Sequence, residues 1–160
     1  SPERTIRLAS NLRRLGRPLP LFVGDALRAP LAHSSNFDRV IVDLPCSGTG
    51  TLRKHPEIKW RLSPDEVGRL ADRGLELLLG VAPHVAAGGV LVAITCSLEA
   101  EENERTIARF LSLRSEFAPL DLATRLAPPI DRGIVGPGFW RVKTADEHDG
   151  FSVHVLEKPR

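Results

Sequence analysis

Apolar residues in this chain fall into short blocks, and polar, glycine- and proline-containing breaks separate them. Over residues 3–15, Ile6, Leu8, Leu12 and Leu15 recur near the helical period and Gly16 is a fitting stop, so a partly amphipathic helix is predicted there. Pro18 and Pro20 end it. Leu21-Phe22-Val23 is a short apolar run closed by Gly24-Asp25 and predicts a buried strand. Phe37 to Leu44 predicts a second strand, which runs into Pro45-Cys46-Ser47-Gly48-Thr49-Gly50. Ser63-Pro64-Asp65-Glu66 carries a helix start, with Ser as N-cap, Pro at the first helical position and Glu completing a capping box. That helix is predicted to reach about residue 85. Gly88-Gly89 turns the chain into a third strand, Val90 to Ile94, and the polar break Thr95-Cys96-Ser97 follows. Glu99 to Leu113 predicts a helix with acids in its first turn, where the helix dipole favours them. Phe117 to Leu122 is a short strand candidate, residues 123–149 read as a long loop, and Phe151 to Leu156 alternates as a last strand.

Apolar strands alternating with helices imply the α/β class, with a mostly parallel sheet covered on both faces. In such sheets ligands bind at the carboxyl ends of the strands. The polar residues there are Asp25, Asp43 with Pro45-Cys46, and Thr95-Cys96-Ser97. The two cysteines of the chain thus both follow strands, 50 residues apart, and can converge on one site.

Composition narrows the class. With 160 residues, 42% hydrophobic and 26% charged, the chain fits one globular domain spanning residues 1–160. A disordered tail, a collagen-like repeat and a disulfide scaffold are excluded. There is no Met, and the chain begins Ser1-Pro2-Glu3-Arg4, so it is expected to be processed or part of something longer. The most apolar stretch, residues 75–95, is interrupted by Glu76, Pro83, His84 and Gly88-Gly89, which argues against a transmembrane helix. Two cysteines and no secretion signal point to a reducing cytoplasm. Net charge is only +2, yet Arg53, Lys54, Lys59 and Arg61 face a single Glu57 over residues 51–61. Arg outnumbers Lys 18 to 4, which fits either a GC-rich genome or phosphate recognition.

Each cysteine could be a small buried hydrophobe. Their polar, Gly- or Ser-flanked turns favour thiol chemistry, with one nucleophile and a second thiol as acid or base. The five histidines have no ligand spacing beside either cysteine, so no metal is expected. A thiol of ordinary pKa is only a few per cent ionised at neutral pH, so the site must lower one of them. Asp43 and Asp25 end apolar runs and serve either as turn residues or as site carboxylates. Trp60 belongs either to the core or to a stacking surface.

Asp43-Leu44-Pro45-Cys46-Ser47-Gly48-Thr49-Gly50, followed by Thr95-Cys96-Ser97 and Glu101-Glu102-Asn103-Glu104, resembles the Sun-type RNA cytosine-5 methyltransferases. Arg53 to Trp60 is similar to the bacterial members that modify small-subunit ribosomal RNA, and Asp149-Gly150-Phe151 also matches. The resemblance implies a Rossmann-like methyltransferase fold with S-adenosyl-L-methionine as methyl donor and RNA, ribosomal in origin, as partner. It implies Cys96 as nucleophile toward carbon 6 of a cytosine, Asp43 as the ring's hydrogen-bond partner close to the cofactor, Cys46 as the thiol that aids product release, and Asp25 at the adenine end of the cofactor. Related DNA enzymes use the Pro-Cys thiol as nucleophile, which would be Cys46. It further implies RNA contacts from Arg53, Lys54, Lys59, Trp60 and Arg61. The alternatives are the same chemistry on transfer RNA or DNA, and a non-catalytic RNA-binding remnant.

The family's glycine-rich cofactor loop and ribose-binding acid have no counterpart here, so the resemblance implies a catalytic domain lacking its first two strands. One of those would lie mid-sheet, and its loss would leave a central strand edge unpaired. Where relatives carry a second Phe after Gly-Phe, this chain has Ser152, a change expected to touch local packing only. These 160 residues alone are therefore expected to bind S-adenosylmethionine poorly, and calorimetry that finds micromolar binding would overturn that expectation.

Overall fold

A computed structural model describes residues 2–16, 19–28, 31–32, 36–122, 133–145 and 147–160. In chain order the elements are α1 (Pro2–Arg14), β1 (Phe37–Asp43), α2 (Ile58–Arg61), α3 (Pro64–Val81), β2 (Val85–Thr95), α4 (Glu104–Leu113), β3 (Ala118–Pro119), β4 (Ile134–Gly136), β5 (Phe139–Val142) and β6 (Phe151–Glu157). The sheet order is β1-β2-β6-β5-β4, and β3 pairs with β6.

The α/β class holds. Parallel pairing is confined to β1 and β2, where α3 makes the crossover and sets Val40 beside Leu91 and Asp43 beside Ile94. The other pairings among the described residues are antiparallel. The expected mostly parallel sheet gives way here because β4, β5 and β6 follow one another through short connections, which allow only antiparallel neighbours. The predicted loop over 123–149 thus contains β4 and β5. Its residues 123–132 and 146 lie outside the described residues, as does Pro18.

Leu21-Phe22-Val23 is not a strand, and all three side chains are exposed. A strand needs a neighbour to take its backbone hydrogen bonds, and β1 pairs with β2 alone among the described strands. The helix expected to reach residue 85 stops at Val81, because Pro83 shapes a 3₁₀ turn over Ala82–His84. Its start is at Pro64 as predicted, with Ser63 Oγ accepting from the Glu66 N–H at 3.2 Å, but the Glu66 carboxylate bonds Arg69 at 2.7 and 2.8 Å and does not complete the box. The helix expected from Glu99 begins at Glu104. Ahead of it, Asn103 Nδ2 donates to the carbonyls of Ser97 and Glu99, at 3.2 and 2.7 Å, and holds the chain in turns. The strand candidate Phe117 to Leu122 reduces to Ala118–Pro119.

The two faces of the sheet differ. On one, Leu91, Ala93 and Leu156 pack under α3 and α4 with Leu75, Leu78, Ile107 and Phe110. Phe110 is fully buried and meets Phe117 edge-on, with ring centroids 5.3 Å apart. On the other, Val90, Val92 and Ile94 are half-buried, and Ile41 of β1 is 68% exposed. The expectation of two covered faces therefore holds for one face among the described residues. No described helix is long and apolar enough to cross a membrane.

Phe110 is the largest fully buried side chain. Phe110→Ala is expected to cost ~3–5 kcal/mol in urea unfolding, since it empties a fully buried site between α3, α4 and the sheet.

Candidate active site

β1 and β2 are parallel neighbours, so their carboxyl ends lie side by side and the turns that follow them meet. The turn after β1 carries Cys46, and the turn after β2 carries Cys96. Their Sγ atoms are 3.3 Å apart. The predicted convergence of the two cysteines is therefore realised. Neither is in a disulfide.

Backbone approach makes this contact. The Gly50 N–H donates to the Cys96 carbonyl at 2.9 Å, and the Gly150 N–H donates to the Gly50 carbonyl at 2.8 Å. A β-carbon on Gly50 would run into the Gly150 carbonyl and sit 2.9 Å from the Cys96 carbonyl oxygen. Gly48 has φ of 78°, a left-handed conformation that glycine adopts without strain. The motif glycines are thus spacers that let three chain segments touch.

Polar side chains finish the clamp. Ser47 donates its backbone N–H to Glu102 Oε1 and its hydroxyl to Glu102 Oε2, each at 2.7 Å. The Ser97 hydroxyl lies 3.3 Å from both the Ser47 and the Thr49 hydroxyls. The Leu98 N–H donates to Thr49 Oγ1 at 3.0 Å. Thr95 Oγ1 donates to Asn103 Oδ1 at 2.7 Å. From β6, the Ser152 hydroxyl donates to the Ser97 carbonyl at 3.0 Å and accepts from Arg141 Nε at 2.9 Å. Ser152 therefore does more than local packing, because it ties β6 to the Cys96 turn.

The two thiols are inequivalent. Cys96 is exposed and Cys46 is half-buried. A hydrogen bond from Cys46, helped by one from its own backbone N–H, pulls Cys96 down to about 7 against burial and the carboxylates of Asp43 and Glu102. Cys46 moves up, because its proton is held by Cys96, it is more buried, and a charge on Cys96 opposes a second one. One proton thus sits between two sulfurs, on the inner one.

Asp43 stands exposed at the end of β1, beside the turn that carries Cys46. Asp25 follows an irregular segment and not a strand, just ahead of a 3₁₀ turn over Ala26–Arg28. Its Oδ1 accepts from the Leu27 N–H at 3.1 Å and lies 3.9 Å from an Arg73 nitrogen, and it shares no hydrogen bond with the thiols. Its turn rests on α3, where Gly80 leaves room for the backbone of Ala26 and Leu27.

The basic segment follows the Cys46 turn. Trp60 is 90% exposed on α2, so of its two sequence readings the core one is excluded. Arg53, Lys59 and Arg61 are exposed. Lys54 is paired with Asp149 at 2.6 Å and anchors this segment to the turn before β6. An open cavity of about 260 Å³ lies between the Cys46 turn and α3, lined by Cys46, Ser47, Ile58, Arg61, Leu62 and Glu66 among others. Sequence reasoning gave no roles to Glu102, Asn103, Thr49 or Ser97, and it read Phe139-Trp140-Arg141 as a segment that could line the RNA groove, whereas Arg141 bonds Ser152 and pairs with Glu104 at 2.8 Å. Glu102 and Asn103 stood in the quoted motif, but only their burial and hydrogen bonds reveal the clamp.

Solved structures share this fold. The protein described as PH0851 superposes with a TM-score of 0.81 at 34% identity, over 99% of this chain and 35% of its own. A methyltransferase homologue from Pyrococcus horikoshii superposes with a TM-score of 0.73 at 24% identity, over 99% of this chain and 51% of its own. The architecture is the Rossmann-like methyltransferase fold. A family model described as 16S rRNA methyltransferase RsmB/F matches residues 1–150, and the chain belongs to that family. Ribosomal RNA small subunit methyltransferase B of Enterobacter sp. (strain 638) is 39% identical over 98% of this chain, and that of Klebsiella pneumoniae (strain 342) is 37% identical over 99%. The chain spans 35% of the length of each.

Iodoacetamide is expected to label Cys96 before Cys46, with a rate that rises with pH and is half-maximal near pH 7. Cys46→Ala removes the donor, so the midpoint should move up toward that of an ordinary thiol. Peptide mass mapping across pH reads both outcomes.

Proposed function

We propose that the chain carries the thiol pair of an RNA cytosine-5 methyltransferase acting on 16S ribosomal RNA. The observation that supports this most is the 3.3 Å contact between Cys46 and Cys96, with the ionisable thiol on the exposed side. Carbon 5 of cytosine is a poor nucleophile, and addition of a thiolate to carbon 6 makes it a good one. Cys96 is the group placed and ionised for that addition. Its sulfur forms a bond to carbon 6, and the electron pair of the 5,6 double bond becomes available at carbon 5.

S-adenosylmethionine, when bound, supplies the electrophilic methyl group. The residues here that suit it are two exposed carboxylates, Asp43 at the carboxyl end of β1 and Asp25 in an irregular segment, which can accept hydrogen bonds from its amino and hydroxyl groups. A similar-fold structure, NSun6 of Pyrococcus horikoshii, was solved with SFG, an S-adenosylmethionine analogue, and is 24% identical. Asp43 also serves the cytosine ring, as a hydrogen-bond or proton partner for the charge that develops on addition.

Product release needs the proton on carbon 5 removed and the C–S bond broken. Cys46 begins protonated because it is hydrogen-bonded to Cys96, because it is partly buried, and because a charge on Cys96 opposes a second one. Once Cys96 is bonded to carbon, that charge is gone and one reason for holding the proton disappears. Cys46 can then lose it to water and take the carbon 5 proton, as Cys96 departs as thiolate. The order of ionisation is thus built into the pair. Arg53, Lys59 and Arg61 supply phosphate contacts, and exposed Trp60 supplies a face on which a base can stack. Lys54 serves through its bond to Asp149.

In the protein containing this chain, Cys96→Ala is expected to abolish a covalent adduct with target RNA, and Cys46→Ala to accumulate it. Denaturing gels read both, and the opposite pattern would exchange the two roles.

A further inference from the structure

The thiol pair does not hold itself together. A sulfur–sulfur hydrogen bond is weak, and both cysteines sit in turns rather than in regular elements. Something must fix the Cys46 turn against the Cys96 turn. The group that does so with the shortest contacts is Glu102. It is only 3% exposed, in the turn ahead of α4. Both of its oxygens accept from Ser47, the residue next to Cys46, one from the backbone N–H and one from the hydroxyl, each at 2.7 Å. Charge-assisted hydrogen bonds of this length are about twice as strong as neutral ones. No basic side chain pairs with Glu102 among the described residues. A buried carboxylate with no counter-ion is costly to keep, so its two bonds to one residue are its main compensation.

We propose that Glu102 is a positioning residue for the thiol pair, acting through Ser47 to hold Cys46 as hydrogen-bond donor to Cys96. Its value to the reaction rests on the reading above, in which Cys96 adds to the base and Cys46 assists elimination. Its geometry does not depend on that reading.

Two effects of Glu102 on Cys96 oppose each other. As a negative charge nearby, it disfavours the Cys96 thiolate, as Asp43 at the end of β1 also does. As the anchor of Ser47, it favours that thiolate by keeping the Cys46 donor in place. Arg61 and Glu66 line the cavity on the far side of Cys46. The two effects of Glu102 therefore predict opposite signs when its charge is removed.

The test is the pH dependence of Cys96 alkylation by iodoacetamide in the protein containing this chain, which needs neither RNA nor cofactor. Glu102→Gln should raise the midpoint above about 7, and a rise of about one pH unit would slow labelling at neutral pH roughly fivefold. Ser47→Ala keeps the carboxylate and loses one of the two bonds, so it should raise the midpoint by less. In a Cys46→Ala background there is no donor to position, and Glu102→Gln should then lower the midpoint. A fall in midpoint for Glu102→Gln with Cys46 present, or the same sign in both backgrounds, would overturn the proposal. Should Glu102→Gln fail to fold, Ser47→Ala decides alone, because an unchanged midpoint there would equally overturn it. Failure of RNA methylation with these shifts intact would instead count against the reaction assigned above.

Discussion

Everything at this site depends on a backbone approach too close for a single added carbon. The Gly50 segment lies between the Cys96 carbonyl and the Gly150 segment, bonded to both. The cysteines meet because their backbones meet first. Side chains then secure what the backbone permits, with Ser47 on Glu102, Thr49 on Leu98, Asn103 on Thr95, and Ser152 on Ser97. Parallel pairing of β1 and β2 underlies it all, since it brings two turns from distant parts of the chain to the same edge.

Within that frame the chemistry follows from a difference in burial. Two identical thiols in contact cannot both be charged, and solvent decides which one is. The exposed one is open to solvent, and the inner one keeps the proton. The two thiols therefore titrate as a pair, and a change of charge on one alters the other.

Much of this was legible before the structure. The apolar runs located β1, the core of β2 and β6, and the strand-end rule picked out Asp43, Cys46 and Cys96. The Ser63 N-cap placed the start of α3 to the residue. The failures share a cause. Leu21-Phe22-Val23 is apolar enough for a strand, but strand formation is decided by a neighbour and not by its own residues. Trp60 follows buried Ile58 and carries no local sign of which side it faces. Glu102 sits in an acidic run that reads as a solvated helix start, and only tertiary packing buries it. Lys54 reads as a phosphate contact until Asp149, 95 residues away, is found beside it.

The bond between Gly50 and Gly150 closes a loop of 100 residues. Such distant closures come late in folding, after the local helices and the nearest strands have formed. They also cannot occur on a ribosome until the distal partner has left the exit tunnel. A nascent chain that has made both cysteines, but not yet residues 150–152, has its thiols without the strand that clamps them. The strand that backs the Cys96 turn is thereby added last, after both thiols and the residues that bring them together have been made.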